Sequence, residues 1–297
     1  MMSTYLLKAK SEPAQQKPAS SEERQRKIDD VREQLCDLTT EMPGFLSDRT
    51  ISRFLGAKNG STAKATKALK DAVKWRRQYK PDKICLEEIS DWETDVKRSY
   101  IPNYLDKKGR SVFIITPSVK STSSAKERLK VFVYHLESMA MSLEDTQEDG
   151  VVWMCDFRGW TLSSTPLWES RESLHIIQSY YPGLIAAAIL NDPPRIFESF
   201  WKLIKHIAEP ALIDKVKFVY SNNSESQRII SDMFDLDKLE SEFGGRNTAG
   251  LDITKYAEEM RRRRCQMKGG AWTPANANAS SSCQPSVARV ASTAVVD

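Results

Sequence analysis

Apolar residues recur along this chain in two rhythms, and the first is helical. Ile28, Val31, Leu35 and Leu38 fall three or four apart, which predicts a helix over residues 21–38, with Ser21 as its cap and Glu22 and Glu23 at the positive end of its dipole. Ser47-Asp48 before Ile51, Phe54 and Leu55 predicts a second, short helix, ended by Asn59-Gly60, a pair suited to positive φ. Ser61 opens a third, with Ala65, Ala68, Leu69, Ala72 and Val73 leading to Trp75-Arg-Arg-Gln-Tyr79, and Pro81 stops it. Residues 21–95 therefore read as a small all-helical unit.

From residue 96 the rhythm changes. Val112-Phe-Ile-Ile-Thr116, Val151-Val-Trp-Met-Cys155, Leu184-Ile-Ala-Ala-Ala-Ile-Leu190 and Val216-Lys-Phe-Val-Tyr220 are short runs dense in apolar residues, as in buried strands. Helical patterns separate them at 124–143, 166–181 and 195–207, the second with Thr165 as cap and Pro166 at its first position. That alternation predicts an α/β domain with a mostly parallel sheet and flanking helices over residues 96–250. A helix at 224–234 and a segment at 239–245 close it, and a basic helix follows over 251–268. Residues 1–20 and 269–297 are rich in small and polar residues and read as disordered ends.

The 195–207 helix carries the most pronounced pattern. Ile196, Phe200 and Ile204 repeat every fourth residue, Leu203 and Ile207 extend the stripe, Phe197 and Trp201 add a second row, and Glu198, Lys202 and Lys205 hold the other face. Periodicity alone leaves two readings open, an ordinary amphipathic helix packed on a sheet and a movable cover over an apolar cavity.

Composition narrows the classes. The longest apolar run is about seven residues, against the roughly 20 needed to cross a bilayer, so a spanning segment is not expected and membrane contact would be peripheral. Five cysteines at wide spacing, Cys36, Cys85, Cys155, Cys265 and Cys283, form no CxxC pair, which argues against a disulfide framework or zinc knuckle and for a cytoplasmic setting. A net charge of +4 does not call for nucleic acid, and Arg261-Arg-Arg-Arg264 is ordinary for a solvated helix face.

Signatures of catalysis are absent: no GxSxG elbow, HExxH site, Walker phosphate loop or GxGxxG turn occurs. Gly56-Ala-Lys-Asn-Gly-Ser61 follows a helix and lacks the Gly-Lys-Ser of a phosphate loop. His135, His175 and His206 sit in helical patterns with no second ligand at metal spacing. Asp156 at a strand end has no partner acid or nucleophile, so a salt bridge is its expected role. No catalytic residue, metal or cofactor is expected.

Several motifs, taken together, carry a resemblance. Ser52-Arg-Phe-Leu-Gly-Ala-Lys58, Lys74-Trp-Arg-Arg77, Asp106-Lys-Lys-Gly-Arg110, Asp156-Phe-Arg-Gly-Trp160, Tyr180-Tyr-Pro182, Asn191-Asp-Pro-Pro194 and Phe243-Gly-Gly-Arg246 occur in the order and spacing of the CRAL-TRIO lipid-binding family. The chain resembles its phosphatidylinositol transfer branch over roughly residues 25–262. The resemblance implies a helical N-terminal unit packed on a mostly parallel sheet that floors an apolar lipid cavity gated by the 195–207 helix. It further implies phospholipid as cargo and a membrane surface as partner. The gate and cavity set is Ile196, Phe197, Phe200, Trp201 and Ile204, with Phe113, Val151, Trp153 and Leu212 as cavity wall.

Carried over position by position, the family's inositol phosphate contacts fall on Lys58, Asp106, Leu212 and Lys215, so two cations and the Asp are kept and a hydroxyl is lost to Leu212. The phosphatidylcholine contacts fall on Val151, Trp153, Pro102, Phe113 and Leu184 and do not carry over. The resemblance thus implies phosphatidylinositol binding and transfer or presentation between membranes. A lipid-bound scaffold or regulator of phosphoinositide signalling, recruiting a partner through the 261–264 run or the tails, is the alternative.

Overall fold

The computed structural model describes residues 21–86, 89–143 and 150–267. The two expected disordered ends, and Cys283 with them, lie outside these residues.

The first compact unit runs to Lys67. Helix α1 (Ser21–Leu35) buries Ile28, Val31 and Leu35. It stops short of the expected residue 38 because Cys36 takes a φ of 49°, after which α2 (Asp37–Glu41) makes a separate turn. In α3 (Asp48–Ala57) the Ser47 hydroxyl accepts the Thr50 amide at 3.1 Å, and Ile51, Phe54 and Leu55 are buried. Arg24 Nε donates to Ser52 Oγ at 2.8 Å and Arg32 pairs with Asp48, tying α1 to α3. Asn59 and Gly60 end α3 with φ of 53° and 72°, as their identities predict.

Helix α4 (Thr62–Tyr79) runs through the division at Lys67, earlier than the expected boundary at residue 95. Its later turns are committed to the second unit. Trp75 stacks on Tyr180 at 4.2 Å between ring centroids and on Tyr79 at 4.9 Å. Arg76 donates from both Nη atoms to Glu137 at 2.9 and 2.5 Å, and Tyr181 donates its hydroxyl to the same carboxylate at 2.7 Å. A buried ion pair needs such extra hydrogen bonds to offset its desolvation.

The second unit holds α5 (Trp92–Arg98), β1 (Ser99–Tyr100), β2 (Val112–Ile115), α6 (Ala125–Ser142), β3 (Val151–Asp156), α7 (Leu167–Tyr180) and β4 (Ile185–Asn191). They are followed by α8 (Phe197–Ile207), α9 (Pro210–Ile213), β5 (Val216–Val219), α10 (Ser224–Met233) and α11 (Ile253–Met267). The strands form one sheet in the order β1-β2-β3-β4-β5, parallel except for the β1 edge. All six residues of β3 are buried, as expected of a central parallel strand covered on both faces. Gly150 enters β3 with φ 101°, and a Cβ there would lie 2.7 Å from the Leu184 carbonyl oxygen, so the close approach of β3 and β4 requires glycine.

Capping follows the sequence at α6, where Ser124 and Glu127 bond reciprocally. At α7 it departs: the helix begins at Leu167 with Pro166 in the cap position, and Thr165 does not cap. Its hydroxyl instead accepts the Trp160 indole N–H at 3.0 Å.

Candidate functional site

Side chains alternate along each strand and so build two different layers. Val112, Ile114, Val152, Met154, Ile189 and Val219 join Ile230 of α10, together with Phe234, in a filled core. On the other face, Phe113 and Trp153 pack with α6 and α7. Next to them Ile115, Cys155 and Leu190 line a cavity of about 270 Å³, walled further by α7 and α8. It reaches from Ile185 and Val216 at the strand starts to Cys155 and Leu190 at the strand ends.

Helix α8 turns Phe197, Phe200, Trp201 and Ile204 onto this cavity. Phe197 lies 4.4 Å from Phe157 and 5.2 Å from Trp160, measured between ring centroids, and Phe200 is 5.2 Å from Trp160. Trp201 meets Phe218 at 5.5 Å, and Lys205 Nζ sits 5.8 Å from the centre of its outer face. Ile196 does not belong to the set: it precedes α8 and is 52% exposed, because the helix starts two residues later than expected. Leu203 is likewise exposed at 51%, so the stripe is narrower than its spacing predicts.

Both ends of α8 are tied. Before it, Asp192 adopts φ 47°, donates its amide to the Val219 carbonyl and accepts the Ser221 amide on Oδ1 at 2.7 Å. After it, Gln178 of α7 accepts the Glu209 amide at 2.6 Å and donates to the Ile207 carbonyl at 3.5 Å.

Of the expected wall residues, Trp153 and Leu212 line the cavity. Phe113 and Val151 do not; both are wholly buried in the core beside it, Phe113 against His135 of α6 and Trp153 of β3. Of the expected head-group residues, Lys58 ends α3 in the first unit. Asp106 Oδ1 accepts the amides of Lys108 and Arg110, and Oδ2 accepts Arg110 Nε and Nη2, so its carboxylate is saturated within its own turn. Lys215 Nζ donates to the Ile185 carbonyl at 2.6 Å, and burial lowers its pKa. Asp106 lies in the turn before β2 and Lys215 directly before β5, and β3 and β4 lie between those two strands in the sheet.

Asp156 pairs with Arg158 at 2.8 Å, the expected salt bridge. Cys155 faces the cavity, and burial pushes its thiol up to about 12, which favours the protonated form at neutral pH. Among the described residues there is no cluster of three metal-ligating side chains and no helix long and apolar enough to cross a membrane. In the 261–264 run, Arg262 and Arg263 both pair with Glu259; the Arg264 side chain lies outside the described part.

A second recess, about 620 Å³, lies between β1 and α11. Its floor is polar: Glu240, whose pKa burial raises, accepts the hydroxyls of Tyr100 and Tyr104. The smaller cavity is the one suited to hydrocarbon.

Sequence reasoning missed the charged residues of that cavity, Asp95 and Arg98 on α5, Arg128 on α6 and Glu169 on α7. The stretch Trp92-Glu-Thr-Asp-Val-Lys-Arg98 reads as a solvated charge run, and nothing in its spacing marks Asp95 as 2% exposed.

The sheet and the aromatic face of α8 thus enclose an apolar cavity between them. The CRAL/TRIO domain model matches residues 96–245, half of the chain, and the chain belongs to that family. Among its relatives, the SEC14 cytosolic factor of Candida glabrata is 27% identical over 70% of this chain and 74% of its own length. That of Eremothecium gossypii is 26% identical over 68% and 70%. A CRAL-TRIO domain-containing protein of Schizosaccharomyces pombe is 26% identical over 68% of this chain, which spans only 19% of it. The crystal structure of Sfh5 shares the fold, with a TM-score of 0.60 and 16% identity over 81% of this chain and 92% of that one.

Proposed function

We propose that the protein is a non-catalytic carrier or presenter of phospholipid, most suited to phosphatidylinositol, and that α8 is the gate of its cavity. The observation that carries this reading is the cavity itself, apolar along the sheet and covered by the aromatic side chains of α8. Membership of the CRAL/TRIO family and likeness to SEC14 cytosolic factors support it.

The physical requirement is simple. Two acyl chains of some 30 methylenes would cost on the order of 24 kcal/mol exposed to water, at ~0.8 kcal/mol each, but little when moved from a bilayer to an equally apolar cavity. A carrier must therefore close in water and open at a membrane. An aromatic helix can bury its apolar face in either place.

The head group is proposed to use Lys58 and Lys215. An arriving phosphate would favour the charged form that burial disfavours on Lys215. Asp106, already saturated, would serve by holding its turn rather than by touching inositol.

The test is transfer of radiolabelled phosphatidylinositol between vesicles, at peripheral contact and without added cofactor. Transfer well above blank is expected. No transfer, with phospholipid retained in the purified protein, would favour the lipid-bound scaffold. Lys58→Ala with Lys215→Ala should lower phosphatidylinositol loading several-fold, read by mass spectrometry of extracted lipid, with the folded circular dichroism unchanged; equal loading would remove both lysines from the site.

A further inference from the structure

The second recess, between β1 and α11, shares no lining residue with the apolar cavity, and the carrier reading leaves it without a role. Its floor is a carboxylate held by neutral partners alone. Glu240 Oε1 accepts the Tyr100 hydroxyl at 3.4 Å and Oε2 accepts that of Tyr104. Among the described residues no cation pairs with Glu240, although the side chain is half-buried and burial raises its pKa. A carboxylate drawn out of water is ordinarily compensated by a positive charge, and here that charge is missing from the protein.

The rim carries the opposite surplus. Asp252 and Glu259 stand there with Lys255, Arg262 and Arg263, two acids against three bases, which leaves one positive charge. Glu259 is shared between two arginines: its Oε2 accepts Arg262 Nε and Nη2 at 3.0 and 2.6 Å, and its Oε1 accepts Arg263 Nε at 3.0 Å. Asp252 turns Oδ1 to the Lys255 amide at 3.0 Å, at the start of α11. The Lys255 ammonium is exposed and has no ion pair or hydrogen bond among the described residues.

That separation of charge selects the solute. A plain anion would pass the rim only to meet Glu240, and a plain cation would face a positive rim and leave Lys255 unpaired. A molecule with an ammonium at one end and a carboxylate at the other offsets both and carries no net charge inward. The walls suit the ammonium end, since the rings of Tyr100 and Tyr256 meet edge to face with centroids 6.4 Å apart and a tyrosine face attracts a cation.

We propose that this recess binds a small, free zwitterion of the ω-amino acid class, its ammonium donating to Glu240 and its carboxylate paired with Lys255. The site lies apart from the lipid cavity, so the proposal stands or falls independently of the carrier reading.

The test titrates the full chain calorimetrically with 5-aminopentanoate, pentylamine and pentanoate, which share a chain length and differ in the charged ends they carry. The zwitterion should bind about tenfold or more tighter than either single-charge analogue. Glu240→Gln, which keeps an acceptor for a tyrosine hydroxyl, should bring the zwitterion down to the affinity of pentanoate. Lys255→Met, a change on the exposed rim that leaves the folded circular dichroism as it is, should bring it down to that of pentylamine. Equal binding of the three compounds by the wild type overturns the proposal, as does failure of the zwitterion to bind. A full preference for the zwitterion surviving in Lys255→Met would overturn it as well.

Discussion

Strands β2 to β5 send alternate residues to two layers that end in different states. Toward α10, Val112, Ile114, Val152, Met154 and Ile189 form one buried cluster with Phe234. Toward α8, the next residues along the same strands, Ile115, Cys155, Ala188 and Leu190, face a void of about 270 Å³. Identical backbone and similar apolar composition thus give a solid core on one side and a container on the other. The difference lies in the covering helices. Interiors normally pack to crystal-like density, so an apolar space of this size is maintained by the rigidity of what surrounds it. Here that support includes Arg128 with Glu169, bridging α6 and α7, and Arg98 across three carbonyls.

The largest test of this contrast removes a ring from each layer. Phe234→Ala should lower unfolding free energy by about 3–5 kcal/mol, because the filled core cannot collapse around the loss. Trp201→Ala, at the half-buried edge of the cavity, should cost less than half of that by urea denaturation. Equal costs would mean that both layers are packed alike.

A second test uses acid. His135 of α6 lies in the packed part of the cavity layer, 5.3 Å from Phe113 between ring centroids, and burial lowers its pKa to about 3. A folded pKa below the unfolded value of about 6.5 means that the unfolded chain binds the proton first, so this group's contribution is complete above pH 6.5 and declines as pH falls toward 3. Between pH 6.5 and 4.5 the loss should be about 2–3 kcal/mol. His135→Gln, still able to bond the Tyr256 hydroxyl, should remove most of that slope in paired urea titrations. A slope unchanged in the variant would assign the acid sensitivity elsewhere.

The mildest test compares two adjacent residues. Ala187 faces the filled core and Ala188 the cavity. Ala187→Leu should cost about 1–3 kcal/mol by overpacking, whereas Ala188→Leu should fall within about 0.5 kcal/mol of wild type while reducing lipid uptake. A reversal would show that the void is not available to side chains.

What could be read from sequence divides along the same line. The strands, the Ser47 cap and the Asn59-Gly60 stop follow from local chemistry, and local chemistry is what a pattern records. The aromatic face of α8 was equally legible, although Ile196 and Leu203 share its spacing and stay exposed. The end of α1 at Cys36 and the diversion of Thr165 to Trp160 depend on partners distant in space or on a single backbone angle. Phe113, Val151 and Trp153 look interchangeable as apolar strand residues, and only the placement of α6 makes one of them wall and two of them core. Asp95 is the extreme case, a charge in a charge-rich run that the fold removes from water.

Gln178 gives α8 a mechanical asymmetry. One amide grips the backbone on both sides of Ala208, and before the helix Asp192 is bonded to Val219 and Ser221, whereas Phe197 itself is held by rings that can exchange one oily neighbour for another. If α8 is the gate proposed above, with 11 residues at 1.5 Å each a 30° swing about its carboxyl end would carry Phe197 roughly 8 Å and leave Ile207 nearly still. A bilayer could draw out the aromatic end without competing for the polar one, and the lever would return on the same pivot when the surface is left behind.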